Sequence, residues 1–430
     1  MMQFSRTHRS PIRLVECPRD AMQGLTRFVP TAQKIRYLNA LLKCGFYAID
    51  CASFVSPRAV PQMRDSAEVL AGFDHTLIQG EQAPKISVVI ASLAGFKQAL
   101  STPIVSTIGF PLACCERFQQ LNTRKSIGVA LDEIAHMQAA VAAANTDMKP
   151  PHGLTLPLGP SKEKELVVYL SMAFGNPYGE PHSVAVVEQL AARLVSLGVR
   201  TISLADTVGV SQPQLIYDTF MRLQRSFSDV TFGAHFHSNT VTSKEKLLAA
   251  VEAGCTLFDS ALGGMGGCPF AANDLTGNVA TETVVKTLQE CRILSPTLNL
   301  KQVQDCVLLK QEIFGVSVKD MLLSQSLRDE KRFAQLCQEH FRLYDANDSG
   351  TLDYECFRSC MMQVFTELGG EPPSEQKIRS SFHKVDIQKL GCITVDAYTM
   401  GARRLLMKRL GLCESVTSNE NTDSKRTISA

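Results

Sequence analysis

The segment VTFGAHFH, residues 230–237, alternates apolar side chains with small or polar ones at a period of two. Side chains two apart in a β-strand point to the same face of the sheet. One face therefore carries Thr231, Gly233, His235 and His237, and the other carries Val230, Phe232, Ala234 and Phe236. The pattern predicts a strand whose apolar face packs under helices and whose C-terminal end presents two histidines on the opposite face.

Seven other short runs of β-forming residues lie between residues 12 and 300. They are RLVEC, YAIDCASF, ISVVIA, IVSTIGF, LVVYLSMAF, RTISLAD and LFDSAL. Amphipathic stretches such as AQKIRYLNALLKCG and VAVVEQLAARLVSLG separate several of them, and Gly198 closes the second of these at a helix-stop position. Strands that alternate with helices indicate a parallel sheet. Eight such repeats predict the α/β class and a (β/α)8 TIM barrel rather than an open sheet.

Shifts in composition divide the chain into five parts. We assign residues 1–10 to an N-terminal arm, 11–300 to the barrel, 301–330 to a helical connector, 331–412 to a small all-α, EF-hand-like pair and 413–430 to a disordered tail. The tail lacks apolar content, which is typical of disorder. The proline- and lysine-rich stretch at 147–165 is interpreted as an insertion loop before the fifth strand.

The composition restricts the class of protein. Hydrophobic residues make up 45% of the 430 residues and charged residues 20%, which is typical of a soluble globular protein. A net charge of +2 gives no reason to expect a nucleic acid or an anionic membrane as partner, and we found no apolar run of about 18 residues. Many of the 14 cysteines lie in apolar segments, which favours a reduced, intracellular compartment. The N-terminus, MMQFSRTHRSPIR, has the composition of a mitochondrial transit peptide, but its shortness favours the cytoplasm over the mitochondrial matrix.

The two histidines lie where TIM barrels carry their catalytic residues, at the C-terminal end of a strand. Two imidazoles with a shared direction suit a divalent metal, although a buried polar pair bonded to carbonyl groups has the same pattern. The first strand leads into ECPRDAMQ, which places Arg19 and Asp20 at the same end of the barrel. An Arg–Asp pair by itself is also compatible with a salt bridge or a helix cap.

The last strand leads into a glycine-rich segment, GGMGGCPFAANDLTGNVATE. Five glycines between residues 263 and 277 permit a loop that approaches other backbone closely. Within this segment the glycines leave the thiol of Cys268 exposed, as expected for a reactive cysteine. Asn278 follows ten residues later.

Five segments taken together resemble the 3-hydroxy-3-methylglutaryl-coenzyme A (HMG-CoA) lyases. They are ECPRDAMQ, IDCASFVSPRAVPQM, LADTVGV, GAHFHSN and GGMGGCPFAANDLTGN. The resemblance covers about residues 10–290. The two histidines and the Arg–Asp pair also occur in a wider superfamily that includes isopropylmalate and homocitrate synthases. The GGCPF segment narrows the resemblance to the lyases.

The resemblance implies a metal-dependent carbon–carbon lyase that cleaves HMG-CoA to acetoacetate and acetyl-CoA, with Mg²⁺ or Mn²⁺ as cofactor. The matched metal ligands are Asp20, His235, His237 and Asn278. The matched catalytic residues are Arg19, which stabilises an enolate, Cys268 of the glycine-rich loop, and Asp206 of LADT. Glu282 closes the GNVATE motif. The implied partner is an acyl-CoA substrate. Whether the chain forms a homodimer is left open.

Two positions depart from the family pattern. Asp50 stands at the end of the second strand where the family has a glutamate, and the spacing from Cys268 to Asn278 is one residue longer than in animal lyases. The proton acceptor is therefore left as Asp50, Asp206 or a nearby histidine. Two alternatives remain open: a related acyl-CoA lyase or Claisen-type condensing enzyme, and a non-catalytic regulatory protein that carries an EF-hand-like module.

The stretch DANDSGTLDYEC resembles an EF-hand loop. Its first, third, fifth, seventh and ninth positions are Asp345, Asn347, Ser349, Thr351 and Asp353. The twelfth position, which should be a bidentate glutamate, is Cys356, so calcium binding is expected to be weak or absent. A second loop from Asp386 keeps still fewer ligands, but Leu352 and Ile393 could pair the two loops as a β-bridge. We interpret the module as a helical pair that docks on a protein partner, with a calcium-responsive regulator as the alternative.

Overall fold

The computed structural model describes most of the chain. The described residues are 11–25, 28–147, 163–238, 242–266, 277–314, 333–334, 337–338, 341–342, 344–345, 349–367, 373–386 and 389–409. They form two compact units, one within residues 1–315 and one within 316–430. The arm at 1–10, most of the loop at 147–165 and the tail at 413–430 lie outside the described residues.

The first unit is a closed barrel of eight parallel strands in sequence order. The strands are β1 (Arg13–Glu16), β2 (Ala48–Phe54), β3 (Lys85–Ile90), β4 (Thr107–Ala113), β5 (Glu165–Ser171), β6 (Thr201–Asp206), β7 (Thr231–Phe236) and β8 (Leu257–Ser260). Pairing of β1 with β8 closes the barrel and aligns Arg13 with Leu257. The predicted TIM barrel is confirmed, and each of the eight strands overlaps one of the eight runs identified from the sequence.

Helices surround this barrel. They are α1 (Pro18–Gln23), α2 (Thr31–Leu41), α3 (Ser66–Ala71), α4 (Leu93–Ser101), α5 (Glu116–Thr123), α6 (Ile127–Asp147), α7 (Val184–Ser196), α8 (Pro213–Ser226), α9 (Ser243–Glu252), α10 (Thr281–Glu290) and α11 (Leu300–Phe314). Short 3₁₀ turns occur at Pro61–Met63, His75–Ile78 and Leu262–Gly264. Gly198 follows α7 with φ +91°, the left-handed backbone that a helix-stop glycine supplies.

The alternation along β7 separates the helix-facing core from the barrel's polar interior. The ring of Phe236 contacts Phe220 of α8 and Phe174 edge-on, with ring centroids 6.5 and 5.7 Å apart. Phe232 and Ala234 are also buried. The opposite face directs His235 toward Tyr169 of β5 across the barrel. This separation explains why an apolar outer face is compatible with imidazoles inside.

Two strands differ from the sequence expectation. We expected β4 to end at Phe110, but it continues through Pro111 to Ala113 because it pairs with β5 as far as Ser171. In β2 the register with β3 shifts between Asp50 and Ala52. A bulge of this kind re-aims side chains and is frequent next to active sites.

Helix α6 corrects our expectation that the chain has no apolar run of about 18 residues, since it is long and apolar enough to cross a membrane by length and composition alone. It connects β4 to β5, and its buried apolar side chains are Ala130, Leu131, Ile134, Met137 and Val141. The helix also contacts α4 and both strands. These contacts are those of a barrel helix in a β–α–β unit.

Helix α11 lies in the stretch that we assigned to the connector, yet it packs on the barrel unit. The Sγ atoms of Cys306 and Cys44 are 3.5 Å apart, and the ring of Phe314 contacts Tyr37 edge-on. Arg36 and Glu312 add an exposed ion pair. The first half of the assigned connector is therefore part of the first unit.

The second unit contains three fully described helices, α12 (Tyr354–Glu367), α13 (Glu375–Val385) and α14 (Val395–Arg409). Two short strands, β9 (Thr351–Leu352) and β10 (Ile393–Thr394), pair antiparallel, with Leu352 opposite Ile393. This is the bridge anticipated from the sequence. Both side chains are fully buried in an apolar cluster that includes Phe341, Phe357 and Phe382.

Candidate active site

A cavity of about 820 Å³ opens at the C-terminal ends of the barrel strands. Its lining includes Arg19, Asp20, Tyr169, His235 and His237. The cavity therefore brings together the histidine pair and the Arg–Asp pair, which are more than 200 residues apart in the sequence. Its volume suits a ligand the size of a small organic molecule or part of a larger one.

Helix α1 positions the Arg–Asp pair. It starts at Pro18 directly after β1, and proline is favoured at the first position of a helix because it needs no amide hydrogen there. The guanidinium of Arg19 donates to Asp50 Oδ2 from Nε (2.9 Å) and Nη2 (2.5 Å), and to Asp20 Oδ1 from Nη1 (2.9 Å). Burial lowers the pKa of Arg19, but the two carboxylates outweigh burial and raise it above its ordinary value. The guanidinium is thus a fixed positive charge in the cavity wall.

Asp20 remains ionised although it is buried. Burial alone would raise the pKa of this carboxyl group, but Arg19 and the two histidines outweigh that effect and hold it below its ordinary value. A carboxylate that stays ionised offers the oxygen ligand that hard divalent ions take in proteins.

His235 is held by a residue that sequence reasoning missed. Its Nδ1 lies 2.9 Å from Oδ2 of Asp259 in the neighbouring strand β8. When the imidazole is neutral and donates to this carboxylate, Nδ1 carries the hydrogen and Nε2 keeps its lone pair. Burial lowers the pKa of His235, but the bond to Asp259 outweighs burial and raises it. A carboxylate behind the imidazole makes it a better metal ligand.

Asn278 reaches the site because the chain returns along the end of β7. It forms an antiparallel bridge with His237, and Val279 N donates to Phe236 O at 3.1 Å. The side-chain Nδ2 of Asn278 donates to Asp20 Oδ2 (2.6 Å) and to Met265 O (2.9 Å). With the amide nitrogen engaged in this way, the amide oxygen is the atom left to face a cation.

These residues fit a divalent metal ion. One ligand atom from each of Asp20, His235 and His237 lies within 4.8 Å of the others, and all three residues are buried. Cys17, His235 and Asp259 form a second group of the same size. Burial raises the pKa of Cys17 well above its ordinary value, so that its thiol stays protonated and is a poor ligand. The first group, extended by Asn278, is therefore the better site.

Asp50 lies behind Arg19 and is 1% exposed. Burial raises the pKa of this carboxyl group, although Arg19 partly offsets the effect. Its Oδ2 accepts from Arg19, whereas its Oδ1 is buried without a hydrogen-bond partner among the described residues. Asp50 itself is not part of the cavity lining, so a substrate would reach this oxygen only past the guanidinium of Arg19.

The structure places Asp206, a predicted active-site carboxylate, in a buried ion pair. Its Oδ2 accepts from Lys246 Nζ of α9 at 2.7 Å and from Ser211 Oγ at 2.5 Å. Lys246 also donates to the carbonyl group of His237 at 3.4 Å. The neighbours Ala205 and Thr207 line the cavity. The pair therefore ties the end of β6 to the backbone of the histidine segment.

Replacing Lys246 with methionine should lower the free energy of unfolding by about 3–5 kcal/mol, because it leaves the carboxylate of Asp206 buried without its cation. Urea denaturation measures this change. Lys244→Met is the matched control, since Lys244 lies on the same helix and pairs with Glu290 at the surface. An exposed pair contributes about 0–1 kcal/mol. Equal losses in the two variants would show that the buried pair is not a stability element.

Cys268, the predicted catalytic cysteine, lies outside the described residues, as does the rest of 267–276. The described ends of this segment approach the metal-site residues closely. A Cβ atom on Gly266 would lie 2.5 Å from Nδ2 of Asn278 and 2.9 Å from Oδ2 of Asp20. Gly266 has φ +102°, so glycine is required there for both conformation and space.

The EF-hand-like loop engages its own ligands in internal hydrogen bonds. The carboxylate of Asp345 accepts from Ser349 N (2.9 Å) and Gly350 N (2.7 Å), and Asp353 Oδ1 accepts from Cys356 N (2.8 Å). Asn347, the third position, lies outside the described residues. In the second loop, Asp386 accepts from the amides of Leu390 and Gly391. In each loop the first aspartate therefore accepts from the amide of the sixth-position glycine.

We expect no calcium binding at micromolar concentration, because Cys356 replaces the bidentate glutamate that completes the calcium shell. Titration calorimetry of the full chain measures this directly. Cys356→Glu should gain affinity, and Cys392→Glu, at the seventh position of the second loop, is the control. A micromolar site in the unaltered chain, or no gain with Cys356→Glu, would contradict the assignment of the defect.

The sequence and the fold resemble known lyases. Residues 13–308 match the HMGL-like family model. The mitochondrial hydroxymethylglutaryl-CoA lyase of Mus musculus is 32% identical over 280 residues, which cover 64% of this chain and 78% of that protein. The hydroxymethylglutaryl-CoA lyase YngG of Bacillus subtilis is 29% identical over 64% of this chain and 84% of its own length.

Solved structures show the same likeness. An HMG-CoA lyase from Acinetobacter baumannii, in complex with coenzyme A and 3-methylmalate, superimposes with a TM-score of 0.61 at 26% identity. The match covers 71% of this chain and 92% of that chain. Since the family model spans more than half of the chain and the site residues converge at the mouth of the barrel, this protein belongs to the HMGL-like family.

Proposed function

We propose that this chain is a divalent-metal-dependent carbon–carbon lyase that cleaves HMG-CoA to acetoacetate and acetyl-CoA. The observation that carries the proposal is the convergence of Asp20, His235 and His237, with Arg19 beside them, in one cavity. Homologues named as HMG-CoA lyases support the choice of substrate.

Asp20, His235, His237 and Asn278 would hold the ion. When bound, a divalent ion supplies Lewis-acid polarisation of the substrate's oxygen atoms. Two imidazoles favour manganese over magnesium by ligand softness, whereas the carboxylate and amide oxygens suit both. We propose Mn²⁺ or Mg²⁺ as the cofactor.

Arg19 would stabilise the negative charge that develops on the thioester oxygen when the carbon–carbon bond breaks and an enolate forms. Its charge does not vary with pH in the working range, and three hydrogen bonds to Asp20 and Asp50 hold the guanidinium in place. A donor that is already oriented needs no reorganisation when charge develops in the transition state.

We assign the proton acceptor to Asp50. The C3 hydroxyl group of the substrate must lose its proton before the bond to C2 can break. Among the described residues one oxygen of Asp50 has no hydrogen-bond partner, and the pKa of this carboxyl group is raised, which is the direction expected for a general base. Asp206 has a structural role instead: it pairs with Lys246, and Lys246 also donates to the carbonyl group of His237. Cys268 would return a proton to the enolate carbon and so release acetyl-CoA.

The cavity also offers a place for the charged portion of an acyl-CoA. Arg58 and Arg124 are exposed and line the same cavity as Arg19. Arginine is well suited to phosphate because its guanidinium donates in pairs. We propose that these side chains contact the phosphates of the CoA moiety.

An assay with HMG-CoA after chelation and re-addition of single metals tests the function. We expect acetoacetate to form only after a divalent ion is restored, with Mn²⁺ and Mg²⁺ compared at equal concentration. Parallel condensation assays with 2-oxo acids and acetyl-CoA test the synthase alternative. Condensation without cleavage, or cleavage of another acyl-CoA in preference to HMG-CoA, would overturn the assignment of substrate.

A further inference from the structure

A turn that follows the last barrel strand, outside the cavity wall, is hydrogen-bonded to the side-chain amide of Asn278. This turn, residues 262–265, follows β8 and contains Gly263 and Gly264 in left-handed conformation, with φ +69° and +65°. The carbonyl group of Met265, its last residue, accepts the 2.9 Å hydrogen bond from Nδ2 of Asn278. Together with Asp20, which accepts from the same nitrogen at 2.6 Å, this carbonyl group orients the amide of Asn278 in the metal site.

Three buried or half-buried side chains hold the turn. The amide of Leu262 donates to Glu16 Oε1 at 2.8 Å, and its carbonyl group accepts from Lys310 Nζ at 3.1 Å. The next amide, of Gly263, donates to the carboxylate of Glu282 at 2.9 Å. The amides of Leu262 and Gly263 and the carbonyl group of Leu262 are thus all hydrogen-bonded to these side chains.

Glu16 is anchored in turn by the segment that follows Asn278. Its Oε2 is hydrogen-bonded to Thr281 Oγ1 at 2.5 Å, and that hydroxyl group donates its hydrogen to Ser260 Oγ at 2.9 Å, so that a protonated Oε2 is the donor to Thr281. Glu16, Ser260 and Thr281 are at most 1% exposed. One carboxyl group therefore bridges both chain segments that bring Met265 and Asn278 together.

The charges in this cluster support a neutral Glu16. Burial raises the pKa of Glu16 to about 8, and the nearby carboxylate of Glu282 acts in the same direction, whereas Lys310 opposes it. A protonated carboxyl group still accepts from the Leu262 amide through its carbonyl oxygen. With Glu16 neutral, the positive charge of Lys310 offsets the negative charge of Glu282.

We propose that Glu16, Thr281 and Lys310 are positioning residues that fix the turn at 262–265 and so orient Asn278 for metal binding. The inference rests on the proposed metal site. None of the three side chains is part of the cavity lining, and their hydrogen bonds go to the turn and to the segment that follows Asn278, so they act through the backbone that carries Met265 and Asn278. Lys310 comes from α11, beyond the eighth strand, which makes that helix part of the active-site support.

The test is the Mn²⁺ affinity of the full chain, measured without substrate by electron paramagnetic resonance of the free ion. Glu16→Leu and Lys310→Met should each weaken binding about ten- to hundredfold, the range for residues that support metal ligands. Glu16→Gln keeps an acceptor for Leu262 and a donor for Thr281, and should retain wild-type affinity. Lys301→Met, an exposed change on the same helix, is the matched control.

Circular dichroism establishes that each variant is folded at the temperature of the assay. Should Glu16→Leu fail to fold, Thr281→Val replaces it, and Thr281→Ser should restore affinity. Wild-type affinity in folded Lys310→Met and in folded Glu16→Leu or Thr281→Val would overturn the inference alone. A wild-type chain that binds no Mn²⁺ would overturn the metal site, and the inference with it.

Discussion

His235→Ala should lose bound divalent ion and nearly all lyase activity while the barrel stays folded. The substitution removes one of three buried ligand atoms and leaves Asp259 without the imidazole that it orients. A metal ion contributes several kcal/mol to stabilising a developing charge, and each 1.4 kcal/mol changes the rate about tenfold. We therefore expect kcat to fall by at least about three orders of magnitude. Metal content after dialysis and acetoacetate production measure the two effects.

His136→Ala is the matched control for this prediction. His136 is an exposed histidine on α6, so its removal should change neither metal content nor rate. Circular dichroism would show that both variants keep the fold. Full activity in His235→Ala would eliminate the metal-site hypothesis, since no other described residue replaces that imidazole.

Cys268→Ala should keep metal and substrate binding but lower kcat by about two to four orders of magnitude. This is the range for a positioned general acid or base. The thiol is assigned to proton return at the enolate carbon, a step that follows bond cleavage and does not require the metal ligands to move. Steady-state kinetics with HMG-CoA, together with Mn²⁺ affinity, separates the loss of turnover from a loss of binding.

Cys291→Ala controls for the loss of a thiol elsewhere in the same unit. Cys291 is partly exposed just after α10 and should tolerate alanine without a change in kcat. A neutral effect of Cys268→Ala would make that cysteine structural and would favour the synthase-like alternative. A fall in kcat accompanied by lost Mn²⁺ binding would indicate a metal-site role instead of proton transfer.

The strands and the pairing of the two histidines were predictable because both depend on local periodicity. An apolar residue at every second position determines which face packs under the helices, and His235 and His237 share the other face whatever the rest of the fold does. The position of Arg19 and Asp20 followed from the rule that parallel strands end at one edge. These inferences need only short stretches of sequence.

The partners of those side chains were not predictable, because they come from distant segments. Asp259 lies opposite His235 only through the register of β7 with β8. The sequence signal for it is an acidic residue within the short β-forming run LFDSAL. The sequence around Lys246 does not distinguish it from an exposed lysine on a helix, and nothing local indicates that it is buried against Asp206. The bulge that re-aims Asp50 is likewise a property of strand pairing.

Glu16 also couples folding to proton uptake. Its carboxyl group has an ordinary pKa of 4.5 and a pKa of about 8 in the folded chain. Between these values the folded protein holds a proton that the unfolded chain releases, so this group's contribution to stability is complete below about pH 4.5 and is lost as pH rises through about 8. The slope approaches about 1.4 kcal/mol per pH unit in that window. The unfolding enthalpy should therefore vary with the ionisation enthalpy of the buffer, and less so in Glu16→Gln.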